Sequence, residues 1–284
     1  WFIGTDPVTG AIKDPKVGIA LTHSLFNITN TLLYLPFIRI AAEFLERLIP
    51  NNEEENEKQR VTSLSVQRLE PYSMSIERSR IEVIRMGNTC LQLADRVQNI
   101  IGGECSNQNE IEEAFLQEEL LDYLQDEVIE YTAGLLSGNI SHDIGETAQQ
   151  QLRMADELES ISDYLIAILK SDITMHKDGL VFPDEQKAAL KELHDGVRVY
   201  IADVIKFYTE RRTAFAELMT EVHTHGRTLT QRAKDLRAGF IKELTNSETK
   251  YDPRVVIALN TQINAYRRVR EHAQNVAEAV AGAK

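Results

Sequence analysis

The stretch "ELLDYLQDEVIEYTAGLL", from Glu119 to Leu136, decides the fold class of this chain. Its apolar residues recur at steps of three and four, the spacing of one face of an α-helix. Acidic residues follow a second stripe on another face of the same helix. The stretch therefore predicts an amphipathic helix with one face in a core. The apolar stripe is Leu121, Leu124, Val128, Tyr131 and Leu135, and the acidic stripe is Glu119, Asp122, Asp126 and Glu130.

The same period continues along most of the chain and predicts six long helices. Gly102-Gly103 and Gly138 end the first two, and Asp252-Pro253 supplies a cap and a first-turn proline for the last. Long helices with apolar seams pack as antiparallel bundles, and no strand pattern interrupts them. The sequence therefore predicts an all-α fold. The helices are expected at about 74–101, 109–136, 143–170, 183–208, 215–240 and 253–280.

The predicted helices form two groups of three, divided near Gly179, which indicates an internal repeat. The first repeat covers about 62–178 and the second about 179–284. The segment "PNNEEENEKQR", from Pro50 to Arg60, is polar, highly charged and without apolar periodicity, so a solvated linker is expected at 50–61. Residues 1–49 then form a separate region. Because the chain begins with Trp1 and shows no signal-peptide pattern, it is expected to be a piece of a longer protein.

The N-terminal region contains an apolar segment, about 17–38, without formally charged residues. As a helix it measures roughly 33 Å, enough to cross a hydrocarbon core of about 30 Å. The sequence therefore predicts a transmembrane helix, and a buried helix or one lying on a membrane surface are the alternatives. His23, Asn27 and Asn30 form one polar stripe on it. That stripe either hydrogen-bonds to neighbouring helices or lines a transport path.

Composition narrows the function classes. The chain has 284 residues and a formal net charge of −13, which argues against nucleic-acid binding because such binding needs lysine and arginine to neutralise phosphates. Two cysteines without metal-ligand spacing favour a reducing compartment over a disulfide framework. No catalytic triad, phosphate-binding glycine loop or HExxH pattern is present. The chain is therefore not expected to be an enzyme.

The acidic stripes are the candidate site. Besides Asp126 and Glu130 on the second helix, the third helix carries Asp156, Glu159 and Asp163 at steps of three and four. Carboxylates spaced in this way point in one direction, and two such helices side by side offer several oxygens to a hard or intermediate cation such as magnesium, calcium, manganese or iron. The alternative is that these stripes are only solvated helix faces.

Two segments carry a resemblance to a known family. "ALTHSLFNITNTLLYLPF" resembles the last membrane segment of bacterial sodium/phosphate cotransporter-family proteins. "SMSIERSRIEVIRMGNTCLQLADRV", from Ser73 to Val97, resembles the entry helix of the cytoplasmic PhoU-type domain that follows in that family. The resemblance implies a transmembrane helix followed by a PhoU-like bundle of two three-helix units. The family's Gln-Ser-Ser transport motifs are absent from this chain. The first segment matches at Ala20, His23, Phe26, Asn27, Leu35, Pro36 and Phe37.

The resemblance also implies a metal site. PhoU proteins bind metal clusters through paired acidic residues, and "LESISD" resembles their Leu-Glu-Arg-Ile-Gly-Asp with Glu159 and Asp163 in the acidic places. Asp126 and Glu130 are the expected partners on the second helix, and manganese, iron or magnesium the expected ion. Ser160 and Ser162 depart from the family pattern.

The second repeat departs further from that pattern. In "RRVREHAQNVAE", Arg267 stands in the place of the first acidic residue and only Glu271 remains in the place of the second. A guanidinium group cannot ligate a cation. Any metal is therefore expected in the first repeat alone.

The resemblance implies that this chain is the C-terminal part of a sodium-dependent phosphate symporter with a cytoplasmic, regulatory PhoU-like domain. The expected partners are phosphate, with sodium as the coupling ion, the lipid bilayer, and a regulatory protein or a second copy of the chain. The expected location is the inner (plasma) membrane with the bundle in the cytoplasm, since Arg39, Arg47, Lys58 and Arg60 follow the apolar segment. The alternative is a PhoU-type signalling adaptor that docks on a transporter without transporting.

Overall fold

The computed structural model describes residues 15–34, 37, 71–102, 108–211, 214–246 and 251–282. It divides into two compact units, Trp1–Val61 and Thr62–Lys284. The prediction of an all-α fold is confirmed, because the described residues form seven long helices and no strand. The predicted linker at 50–61 lies outside the described residues.

The first unit contains helix α1, Pro15–Tyr34. Its large apolar side chains, such as Leu25 and Leu32, are exposed. His23 and Asn27 are also exposed and Asn30 is half-buried, while the Thr31 hydroxyl donates to the Asn27 carbonyl at 2.8 Å.

The transmembrane helix predicted at 17–38 is not supported. Among the described helices, α1 included, none combines the length and the apolar character that crossing a bilayer requires. The 20 residues of α1 are sufficient in length, but histidine, asparagine and threonine side chains lower its hydropathy. Of residues 35–38, only Phe37 lies within the described part of the chain.

The second unit is a bundle of six long helices: α2 Tyr72–Gly102, α3 Gln108–Leu136, α4 His142–Lys177, α5 Asp184–Thr209, α6 Phe215–Asn246 and α7 Pro253–Val280. Helices α2, α3 and α4 pack against one another, and so do α5, α6 and α7. The two three-helix groups meet where α4 packs on α7 and α2 packs on α5. At the α2–α5 contact, Gly87 permits a close approach, since a Cβ there would lie 2.5 Å from the Cδ1 atom of Ile205.

The bundle has one main core, which runs through both groups. The apolar stripe predicted on α3 is buried throughout, and Leu158 and Leu165 of α4 and Val269 of α7 join it. Because each helix buries only one side, its polar residues stay on the outside or at helix–helix seams. The acidic side chains of α3 and α4 are consequently held beside a rigid apolar seam.

Helix α4 is longer than the sequence pattern predicts. It continues past residue 170 to Lys177, because Met175 is buried in a small second cluster with Val255 and Ala258 of α7. The helix ends where Gly179 adopts a left-handed φ of 67° and the Leu180 amide donates to the Met175 carbonyl at 2.9 Å. Helix α7 begins as predicted, with the Asp252 side chain accepting from the Arg254 amide.

Candidate metal centre

Three carboxylates come together at the seam between α3 and α4. Asp122 of α3 and Glu159 and Asp163 of α4 each offer an oxygen, and these oxygens all lie within 4.8 Å of one another. Glu159 is half-buried, while Asp122 and Asp163 are exposed. Glu159 and Asp163 lie four residues apart on one helix face, and the packing of the apolar seams brings Asp122 beside them. We call these three residues the carboxylate cluster.

The structure brings together two of the four metal ligands predicted from the sequence. Glu159 and Asp163 are in the carboxylate cluster, but Asp126 and Glu130 are not among its members. Their place is taken by Asp122, which belongs to the same acidic stripe one turn earlier.

The antiparallel register of α3 and α4 explains this selection. The Gln125 amide donates to the Asp156 carboxylate at 3.0 Å, and the Lys170 ammonium lies 5.5 Å from the centre of the Phe115 ring. Residues further along α3 therefore lie beside earlier residues of α4. Glu130 therefore lies nearer the N-terminal end of α4 than Glu159 does. The acidic periodicity alone could have identified Asp122, but choosing it over its neighbours requires this register.

The electrostatics of the carboxylate cluster favour protonation or cation binding. Burial first, and then the neighbouring charges of Asp163 and Asp122, raise the pKa of Glu159 to about 7. The pKa of Asp122 is also raised, first by burial and then by Asp163, Asp126 and Glu119. Like charges held close together disfavour simultaneous ionisation. A bound cation would relieve this repulsion.

The donor chemistry of the carboxylate cluster fits a hard cation. Three carboxylates supply oxygen ligands only, as magnesium and manganese prefer, and the two exposed members leave room for water to complete the coordination. Nearby, Cys90 is buried and its thiol donates to the Leu158 carbonyl at 3.2 Å. Burial and the Glu159 charge raise the pKa of that thiol, so it stays protonated and is a poor ligand.

The corresponding place in the second three-helix group has the opposite character. Glu271 of α7 lies 3.0 Å from the Nη1 atom of Arg268, 3.5 Å from Nη2 of Arg270 and 3.6 Å from Nε of Arg267. Guanidinium groups carry only donors, so they neutralise this carboxylate and repel a cation. Arg267, which stands where the family pattern has an acidic metal ligand, is thus part of an ion-pair network around Glu271.

A pH titration of stability should report the repulsion inside the carboxylate cluster. Since the folded-state pKa of Glu159 lies above its ordinary value, the folded chain holds this proton more tightly and loses stability as the pH rises through about 7. Glu159→Gln removes the charge, so without metal it should raise the free energy of unfolding above pH 7 by about 1 kcal/mol, a value discounted because the carboxyl is partly exposed. At pH 5 the two proteins should be nearly equal. Urea unfolding in the presence of a chelator measures both.

The control for that titration is Glu112→Gln, which changes an exposed glutamate of α3 outside the carboxylate cluster. Its effect on stability should not depend on pH between 5 and 8. If Glu159→Gln were equally insensitive to pH, the assigned repulsion would be absent.

Comparisons with known proteins identify a solved structure with a similar fold. No protein-family model matches this chain, and no curated protein matches its sequence. Among solved structures, the chain is similar to the crystal structure of the phosphate transport system regulatory protein PhoU from Streptococcus pneumoniae, with a TM-score of 0.63 and 13% identity. The match covers 74% of this chain and 95% of that chain. The predicted PhoU-like fold is thereby confirmed, and membership of the sodium/phosphate cotransporter family is not shown.

Proposed function

We propose that the bundle from residue 62 to residue 284 is a regulatory domain for phosphate transport. The observation that carries this proposal is its PhoU-like fold, since the similar solved protein is described as a phosphate transport system regulatory protein. In this proposal the bundle senses or gates, and catalyses nothing. It acts through contacts with a transporter, a regulatory protein or a second copy of the chain.

The finer proposal is that this regulator belongs to a sodium-dependent phosphate symporter, with its bundle on the cytoplasmic side of the inner membrane. Its support is the motif of α1, where Ala20, His23, Phe26 and Asn27 match the last membrane segment of that family. His23, Asn27 and Asn30 then serve as polar contacts to further helices or as part of the transport path. Sodium is the coupling ion.

The proposed sensing element is the carboxylate cluster, which binds manganese, iron or magnesium. A cation there would join α3 to α4 across their seam, so its binding and release change how firmly the first three-helix group is held. A domain whose rigidity depends on a bound ion can bias a transporter through differential contacts.

Phosphate uptake tests the proposed function. Cells without phosphate transporters of their own, expressing the full reading frame that contains this chain, should take up labelled phosphate in sodium medium and lose that uptake when choline replaces sodium. Glu159→Gln with Asp163→Asn should change the uptake rate at a fixed phosphate concentration, because the sensing element has lost its charge. Glu271→Gln in the second three-helix group should leave the rate unchanged.

Two results would contradict this proposal in different ways. Uptake that persists in choline would remove the sodium dependence. If the reading frame conferred no uptake at all but altered the activity of a separate transporter, the adaptor function would replace the symporter function and the regulatory role would stand.

A further inference from the structure

A deep groove lies at the end of the bundle where α4 ends. It has a volume of about 1070 Å³ and is formed by the last turns of α2 and α4, the connection 178–183, the first half of α5, and α7. We call it the end groove. This volume lies just above the usual range of small-molecule sites, about 300–1,000 Å³. It shares no residue with the carboxylate cluster.

The walls of the end groove are apolar and partly aromatic. Ile101, Met175, Leu180 and Leu190 line it together with Phe182, whose ring is half-buried in the connection between the two three-helix groups. A flat ring can pack against such walls, and an aromatic side chain offers it a stacking surface. The walls therefore suit a planar, weakly polar group.

The deep end of the groove holds an amide without a partner. Gln262 of α7 is fully buried and lines the groove, yet neither its Oε1 nor its Nε2 atom has a hydrogen-bond partner among the described residues. Buried amides are nearly always paired, since leaving one unpaired costs about 1–3 kcal/mol per group. An unpaired amide facing a groove is the feature expected of a site that awaits a polar ligand.

The neighbouring polar groups do not satisfy that amide because they satisfy each other. The Nε2 atom of His194 is 2.9 Å from the Ala94 carbonyl, which can only accept, so this nitrogen carries the proton. Burial lowers the pKa of His194, which keeps the ring neutral and leaves Nδ1 to accept from the Tyr266 hydroxyl at 3.0 Å. The Gln262 amide therefore remains available to hydrogen-bond to a ligand.

Two lysines supply positive charge to the same groove. Lys187 and Lys191 lie one turn apart on α5, so both ammonium groups lie on one helix face at the groove, and both are exposed. Lysine is a common point-charge partner of phosphate groups. Asp172 and Asp184 also line the groove, so its overall charge is balanced. An anionic ligand would therefore be held by direct contact between its charged group and the two lysine ammonium groups, and not by a net positive charge of the groove.

We propose that the end groove binds a nucleotide, with the base against the apolar walls and Phe182, the base edge on Gln262, and the phosphate on Lys187 and Lys191. A glutamine amide can give and receive one hydrogen bond each with a nucleobase edge, as it does with adenine. Stacking on an aromatic side chain stabilises a base whatever its identity. The ligand is a free nucleotide and not a nucleic-acid strand, because the chain carries a net charge of −13.

Calorimetric titration of the full chain with AMP, GMP and UMP, and separately with adenosine and inorganic phosphate, tests this proposal. At least one nucleotide should bind more tightly than either adenosine or phosphate alone. Gln262→Leu should weaken nucleotide and nucleoside binding by about tenfold, the worth of one good base-edge pair. Lys187→Gln with Lys191→Gln should weaken nucleotide binding by about tenfold and leave nucleoside binding unchanged.

The controls separate binding from folding. Lys234→Gln with Lys206→Gln changes two exposed lysines outside the end groove and should leave all binding unchanged. Gln262→Leu should melt no lower than the wild type, since it removes an unpaired buried amide. If no nucleotide binds, or if phosphate alone accounts for the whole affinity, the proposal is overturned. Neither result would bear on the carboxylate cluster, because the two sites share no residue.

Discussion

Manganese added to the full chain should raise the melting temperature of the bundle by about 8 °C at a hundredfold excess over the dissociation constant. Binding to the folded state alone stabilises it by about 2.7 kcal/mol at that excess, and a domain of this size gains about 2–4 °C per kcal/mol. Burial and the repulsion of Asp163 and Asp122 together raise the pKa of Glu159 to about 7, and the stabilisation arises because the cation relieves that repulsion. Melts with and without manganese, iron or magnesium measure it.

Single neutral substitutions decide which carboxylates hold the ion. Asp122→Asn, Glu159→Gln and Asp163→Asn should each remove most of the metal-dependent shift, because their oxygens lie within 4.8 Å of one another. Asp126→Asn and Glu130→Gln should keep it, and so should Glu271→Gln among its arginines. If Glu130 mattered and Asp122 did not, the ligand set predicted from the family pattern would be right. If no ion shifts the wild-type melt, the acidic stripe is a solvated face.

The helices were predictable because their signals are local. The apolar stripe on α3 and the Asp252 cap of α7 each act within a few residues, and both helices lie where those signals place them. The end of α4 was misplaced because Met175 is buried by Val255 and Ala258, which are distant in the chain. That packing extends the helix, and no local pattern in the sequence records it.

The candidate sites depend more strongly on contacts between distant residues. The acidic stripe indicated which helix faces to consider, but only the register of α3 on α4 places Asp122 beside Glu159. The end groove had no sequence signal, since Gln262 occupies an ordinary position in the apolar stripe of α7 and Lys187 resembles any surface lysine. That the Gln262 amide lacks a partner can be recognised only in the folded structure, once the hydrogen bonds of its neighbours have been assigned.

Another glutamate of α4, Glu157, has an electrostatic environment opposite to that of Glu159. Glu157 points toward α7, where it accepts from His272 Nδ1 at 2.7 Å and from Asn275 Nδ2 at 3.0 and 3.1 Å. Tyr164 stacks on the His272 ring with 5.4 Å between centroids. Burial by itself raises the pKa of Glu157, but the hydrogen bonds from His272 and Asn275 outweigh it and hold the pKa below its ordinary value. The ionised carboxylate of Glu157 therefore takes part in the contact between the two three-helix groups.

Glu157→Ala should lower the free energy of unfolding at pH 7 by about 2–3 kcal/mol, because it leaves the donors of His272 and Asn275 without their acceptor in a partly buried interface. The loss should shrink as the pH falls below about 4.5, since a carboxyl with a lowered folded-state pKa stabilises only while it is ionised. Urea unfolding measures both. The matched control is Glu146→Ala, which removes the exposed pair with His142 on the same helix and should cost less than about 0.5 kcal/mol. Equal losses for the two variants would mean that Glu157 contributes no more to the contact between α4 and α7 than a surface ion pair does.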